Sequence, residues 1–201
     1  MATREAVRLD GSPPAQRATQ TEPAPGRVIT SGAAKFLAFF RVVLGFEFLW
    51  AFADKTFGLG YATPAERAWI NGGSPTRGFL SRVAVGPFED TFHTWAGAAW
   101  ADWLFMAGLL AIGIALVLGI GLRIAAVSGT AMMLLMWAAE WPLDKLTSAG
   151  EPSMSTNPIV DYHIIYALAL IALAVTYAGH TWGLGKLWAK LPFVQRNRWL
   201  I

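Results

Sequence analysis

The sequence predicts an all-α fold: an integral membrane four-helix bundle with a partly structured outer loop and a disordered N-terminal tail. Three observations lead there. Of 201 residues, 55% are apolar and only 14% charged, with mean hydropathy +0.43, whereas soluble domains carry about 25% charge. The apolar residues fall into four segments, each approaching the ~20 residues needed to cross a hydrocarbon core of about 30 Å. Tryptophans flank those segments, with Trp100, Trp103, Trp137 and Trp141 at one set of boundaries and Trp182 and Trp188 at the other, as an interfacial belt requires.

Residues 1–34 hold Pro13, Pro14, Pro23 and Pro25 among small polar residues and arginines, a composition that reads as a disordered cytoplasmic tail. The tail has no early apolar core or small-residue cleavage site, so the first hydrophobic helix is expected to remain as an anchor. The predicted membrane domain covers 35–185. Its first span, 35–57, contains Arg41 and Glu47 and closes on Asp54 and Lys55. The second, 100–122, is uninterrupted by charge from Trp103 to Leu122. A turn around Gly119, Gly121 and Arg123 leads into the third, 123–140, and the fourth, 157–179, opens on Asn157-Pro158 as a helix cap. Thr56-Phe57-Gly58 and Thr181-Trp182-Gly183 both read as glycine helix stops. Ala107, Ala111, Ala115 and Gly119 form a small-residue stripe on which a neighbouring helix can approach closely.

The outer loop, 58–99, is too long for a bare connection. Its Gly72-Gly73-Ser74-Pro75 turn, with Arg67, Arg77 and Arg82 balanced against Glu66, Glu89 and Asp90, points to a folded cap or a docking surface, its arginines either paired with those acids or drawing a small anion toward the membrane. Residues 186–201 read as a basic C-terminal tail. Four spans put both termini on one side, and that side carries ten lysines and arginines against five on the other, which predicts cytoplasmic termini in a plasma membrane.

With no cysteine, the chain has no thiol nucleophile and no cysteine ligand for an iron–sulfur cluster. The basic residues sit where topology places them and form no nucleic-acid patch. His163 and His180 share one helix and His93 lies in the outer loop, giving no facing pair of haem ligands, and no metal-ligand spacing is present, so neither haem nor metal is expected.

Charges within lipid cost at least ~2.5 kcal/mol at mid-span, so retained ones are expected to face inward and pair or work. Arg41 should lie about 9 Å and Glu47 about 18 Å into the first span, with Asp161 and His163 ~6–9 Å below the outer surface. Glu47, Asp54, Lys55, Glu140, Asn157, Asp161 and His163 are thus expected together in the outer half, near Tyr162 and Tyr166. Glu47 is read either as pairing with Arg41 or Lys55 or as taking part in proton chemistry. His163 and Tyr166, three residues apart on one face, can offer hydrogen bonds to the carbonyl oxygens of a quinone.

Arg41-Val-Val-Leu-Gly45-Phe-Glu-Phe48 with Ala51 and Lys55, Leu118-Gly119-Ile-Gly121-Leu-Arg123, and Asn157-Pro158 with Asp161, His163 and Tyr166 resemble the pattern of the DoxX family over residues 35–185. That family includes the DoxD-type subunit of thiosulfate:quinone oxidoreductase. Phe52 stands where the family pattern usually has glycine. The resemblance implies a four-helix membrane protein passing electrons from thiosulfate, or a related donor, to quinone. In this reading Glu47, Asp161 and His163 serve proton and redox chemistry, and Arg41, Lys55, His163 and Tyr166 serve quinone binding. A second redox subunit, exported redox proteins and a second copy of the chain are the partners it implies, besides lipid. A non-catalytic anchor for redox-defence proteins is the alternative from the same family, and a small transporter is a third class.

Overall fold

A computed structural model describes residues 29–201, so the expectation of disorder for 1–34 falls almost wholly outside the described residues. Where they begin, the chain is already committed to helix. Thr30 caps α1, Ser31–Phe57, through its hydroxyl and Ala33 N, four residues ahead of the predicted start. Gly58 closes α1 in the left-handed conformation, at φ 66°, the role read for it from sequence.

The outer loop is folded. It carries 3-10 turns at Ala65–Arg67 and Trp69–Asn71, then the short helices α2, Arg77–Leu80, and α3, Glu89–Trp95. Asp102 fastens this loop to the start of α4, Ala99–Leu118. The 6% exposed Asp102 carboxylate accepts from Ser74 Oγ at 2.9 Å, Thr76 N at 2.9 Å and Thr76 Oγ1 at 2.6 Å. Asp54, on which the first span was expected to close, is buried and accepts from Tyr61 N and Ala62 N, pinning the chain just after α1.

A tight turn at Gly119 and Gly121 reverses the chain into α5, Leu122–Glu140. The fourth long apolar segment differs from its prediction. Asn157 does not cap a helix; its Oδ1 accepts from Ile159 N and Val160 N, a local side-chain turn that competes with helix. The cap is Asp161, whose carboxylate accepts from Ile164 N at 3.1 Å, and α6 covers only Tyr162–Val175. At about 1.5 Å per residue that is ~21 Å, short of a hydrocarbon core, and a 3-10 turn at Ala178–His180 follows. Gly183 is therefore not the stop of this helix. Three helices, α1, α4 and α5, are long and apolar enough to cross a membrane by length and composition.

Residues 186–201 do not form a free tail. With α7, Gly185–Trp188, and α8, Pro192–Arg196, they fold back so that Val194 is fully buried and Trp188 Nε1 donates to Leu200 O.

α1, α4, α5 and α6 contribute to one apolar core, with Leu44 and Phe48, Met106 and Ile112, Met133, and Leu170 and Leu173 among its buried members. α1 runs antiparallel to α4 at close range, because Gly45 meets Leu116 and Val117 while Gly113 meets Leu49. A Cβ at either glycine would collide with the facing helix. The stripe predicted for close approach fills that role only in its second half: Ala107 and Ala111 are exposed, while Ala115 packs against the core and Gly119 meets Gly179. Among the described residues no strand occurs, and a single isolated bridge joins Leu146 to Pro152.

Candidate functional site

Two separate polar clusters form, one around Arg41 of α1 and one where α5 meets α6, although the family resemblance assigned Arg41 and His163 to one quinone site. Arg41 is fully buried, and its guanidinium donates to Leu116 O and Val117 O, the closing carbonyls of α4, and to Trp182 O at 3.0 Å. These carbonyls lie in the last turn of α4, where Leu116 O also accepts from Gly119 N, and they carry the negative end of the helix dipole, so a buried cation there is stabilised by both hydrogen bonds and dipole. Gly119 and Gly179 come close enough around it that a side chain on either would strike the other's backbone. Arg41 thus ties α1, α4 and the segment after α6 together. About 21 Å of helix separates it from Lys55.

The second construction forms where α5 ends and α6 begins. The His163 ring is 1% exposed, with Nδ1 2.8 Å from Asp161 Oδ2 and 3.9 Å from Glu140 Oε2. Tyr162 Oη donates to Glu140 Oε1 at 2.8 Å, and its ring lies 4.0 Å, centroid to centroid, from that of His163. Tyr166 meets Tyr162 edge to face at 6.2 Å. Trp137 Nε1 donates to Ile159 O, holding the incoming strand of chain against α5. Asp161 therefore has two duties: one oxygen caps the helix and the other holds the imidazole.

Beside this cluster lies a cavity of about 1430 Å³ between α4 and α5, roofed by the outer loop. Leu104, Phe105 and Gly108 of α4 and Met132, Leu135 and Met136 of α5 give it an apolar interior, while Lys55, Glu140, Asp161 and Tyr162 border it. The outer loop adds further polar and charged lining, Arg67, Arg77 and Arg82 among it, and an apolar wall facing a polar one suits an amphipathic ligand.

Of the residues assigned from sequence, Asp161 and His163 meet directly, and Lys55 and Asp161 line the cavity. Glu47 is exposed midway along α1 and does not face inward as expected, and neither it nor Tyr166, Arg41 or His163 lines the cavity. Phe52 packs against the shared core. Among the described residues no lysine or arginine lies within 4.0 Å of a carboxylate, so the pairings expected of Glu47 with Arg41 or Lys55, and of the loop arginines with Glu66, Glu89 and Asp90, do not form. Glu140 and Tyr162 were placed at this end of the protein by sequence but given no role; their signal is tertiary, since Glu140 reaches Tyr162 and His163 only once α5 and α6 pack side by side. Asp102 was missed, though an acid in the first turn of an apolar helix, facing a Ser-Pro-Thr turn, marks it.

No family model, curated protein or solved structure matches the chain.

Proposed function

We propose that the chain is an integral plasma-membrane protein whose cavity binds quinone and passes to it electrons from thiosulfate or a related donor. The observation that carries this reading is the cavity: apolar along α4 and α5, and polar where Lys55, Asp161 and Tyr162 border it. A quinone has the matching form, an isoprenoid chain with a head bearing two carbonyl oxygens. The bundle has four crossings in this account, α6 completing the fourth with the 3-10 turn after it, and both termini lie in the cytoplasm.

The proposed chemistry balances as two thiosulfate ions each losing one electron and joining through a new S–S bond. Quinone supplies the redox chemistry when bound, accepting two electrons and two protons. The Lys55 ammonium donates a hydrogen bond to the head group. Asp161, with His163 behind it, lies on the route by which protons arrive, the imidazole exchanging a proton with the carboxylate it touches. Tyr162 holds Glu140 in place at the same border. The loop cations Arg67, Arg77 and Arg82, which also line the cavity, draw an anionic donor to it. Glu47 stands on the α1 side as a second proton acceptor, and the Tyr166 hydroxyl on α6 is a further hydrogen-bond donor for the head group.

The test is quinone reduction in native membranes with thiosulfate as donor, beside a deletion strain and Lys55→Met and Asp161→Asn variants. Donor-dependent reduction that disappears with the deletion and falls at least tenfold in Lys55→Met supports the reading. Reduction unchanged by the deletion overturns it and leaves the anchor, for which partners retained by the Lys55 variant and lost on removing residues 61–95 are the signature.

A further inference from the structure

We propose that Glu140, Asp161 and His163 form a binding site for a divalent first-row transition metal ion. The inference does not rest on the quinone reading, and a bound ion would take the place of the proton shared between Asp161 Oδ2 and His163 Nδ1 in that reading. One donor atom from each residue, two carboxylate oxygens and one imidazole nitrogen, lies within 4.8 Å of the others. The atoms that face one another are Glu140 Oε2, Asp161 Oδ2 and His163 Nδ1, with Nδ1 separated from the two oxygens by 3.9 and 2.8 Å. Two ligands sharing an ion at ~2.1 Å stand roughly 3.0–3.4 Å apart, a spacing these two distances bracket.

The surroundings fit ligands held for an ion. The outward oxygen of each carboxylate already has a donor, Tyr162 Oη on Glu140 Oε1 and Ile164 N on Asp161 Oδ1, so both groups are turned with their second oxygens toward the imidazole. Outer partners of this kind orient metal ligands. The His163 side chain supplies an independent observation: it is 1% exposed, aims Nδ1 between the carboxylates, and has no hydrogen-bond partner at Nε2. Nothing but this cluster engages the ring's polar atoms. Two carboxylates face each other here with no lysine or arginine within 4.0 Å of either, and a dication balances that charge. One nitrogen and two oxygens favour zinc, manganese or ferrous iron over magnesium. Because Glu140 and Asp161 border the cavity, three protein ligands leave the ion's remaining coordination to water or to a cavity ligand.

The test is calorimetric titration of the full chain in detergent, stripped with a chelator, with zinc and separately with magnesium. One zinc per chain is expected, undisplaced by excess magnesium, with affinity lowered about tenfold or more in Glu140→Gln and in Asp161→Asn. His93→Gln and His180→Gln should bind as the parent does. Glu140 is partly exposed, so its amide variant should fold even where His163→Gln does not, and its unfolding midpoint without metal should match the parent's. Absence of saturable zinc binding, or equal zinc affinity in the parent and Glu140→Gln, would overturn the assignment.

Discussion

His163 Nδ1 lies 2.8 Å from Asp161 Oδ2, while the other oxygen of that carboxylate caps α6 through Ile164 N at 3.1 Å. One side chain thus fixes both where the helix begins and how the imidazole is turned. Asp161→Ala should lose about 1 kcal/mol for the cap and a further loss of similar size for the hydrogen bond. Asp161→Asn, which keeps an acceptor for the cap, should lose less. Thermal unfolding of the two variants in the same detergent checks the order, and equal midpoints for Ala and Asn would refute the double role.

Arg41 joins segments remote in sequence through hydrogen bonds to carbonyls. Arg41→Met should destabilise the protein by roughly 3 kcal/mol, since hydrogen bonds to a charged group contribute about 1.5–3 kcal/mol each and the carbonyls would be left buried. Arg41→Lys should recover little, because a single ammonium cannot reproduce the planar spread of guanidinium donors. Denaturant unfolding in mixed micelles measures both. Full recovery by lysine would mean that charge alone suffices.

The close crossing of α1 and α4 depends on two glycines. Gly45→Val and Gly113→Val each place methyl groups into the facing helix and should cost about 1–3 kcal/mol, whereas Ala107→Val, on an exposed position of the small-residue stripe, should change little. Melting temperatures of the three variants decide which surface forms the contact.

Asp102→Ala should free the segment around Ser74–Thr76 while leaving the shared core intact. Amide exchange at Thr76, whose N–H now points to Asp102, should speed up more than exchange in α4 and α5. Equal acceleration throughout would show that the loop and the core unfold together.

The chain's lack of cysteine makes topology directly measurable. Single cysteines at Glu66 and Arg198, both exposed, should react with a membrane-impermeant maleimide from opposite sides, Glu66→Cys in intact cells and Arg198→Cys only after lysis. Labelling of both from one side would exclude an odd number of crossings between them.

How much of this was legible in sequence follows the range of the interactions. The ends of α4 and α5 fall within four residues of expectation, because an apolar run bounded by glycine is a local signal. The start of α6 was misplaced because Asn157-Pro158 and Asp161 offer the same local capping chemistry, and only the hydrogen bonds separate a turn from a cap. Asp161 with His163 was readable from spacing on one segment. Glu140 was placed at the same end, but its contacts with Tyr162 and His163 were not readable, since they arise only through the packing of α5 on α6. Arg41 was misread for a similar reason: its partners are backbone carbonyls, and backbone carbonyls leave no trace in residue identity. The small-residue stripe was realised at Ala115 and Gly119 and not at Ala107 and Ala111, because periodicity reports a face without reporting what that face meets.

The most direct check on the account is photolabelling with an azidoquinone in native membranes, followed by mapping of the modified residues. Label concentrated on Leu104–Gly108 and Met132–Met136, competed away by excess quinone and weakened by Lys55→Met, is the expected result. Uniform labelling of the exposed faces of α1 and α6, insensitive to competitor and to Lys55, would contradict it.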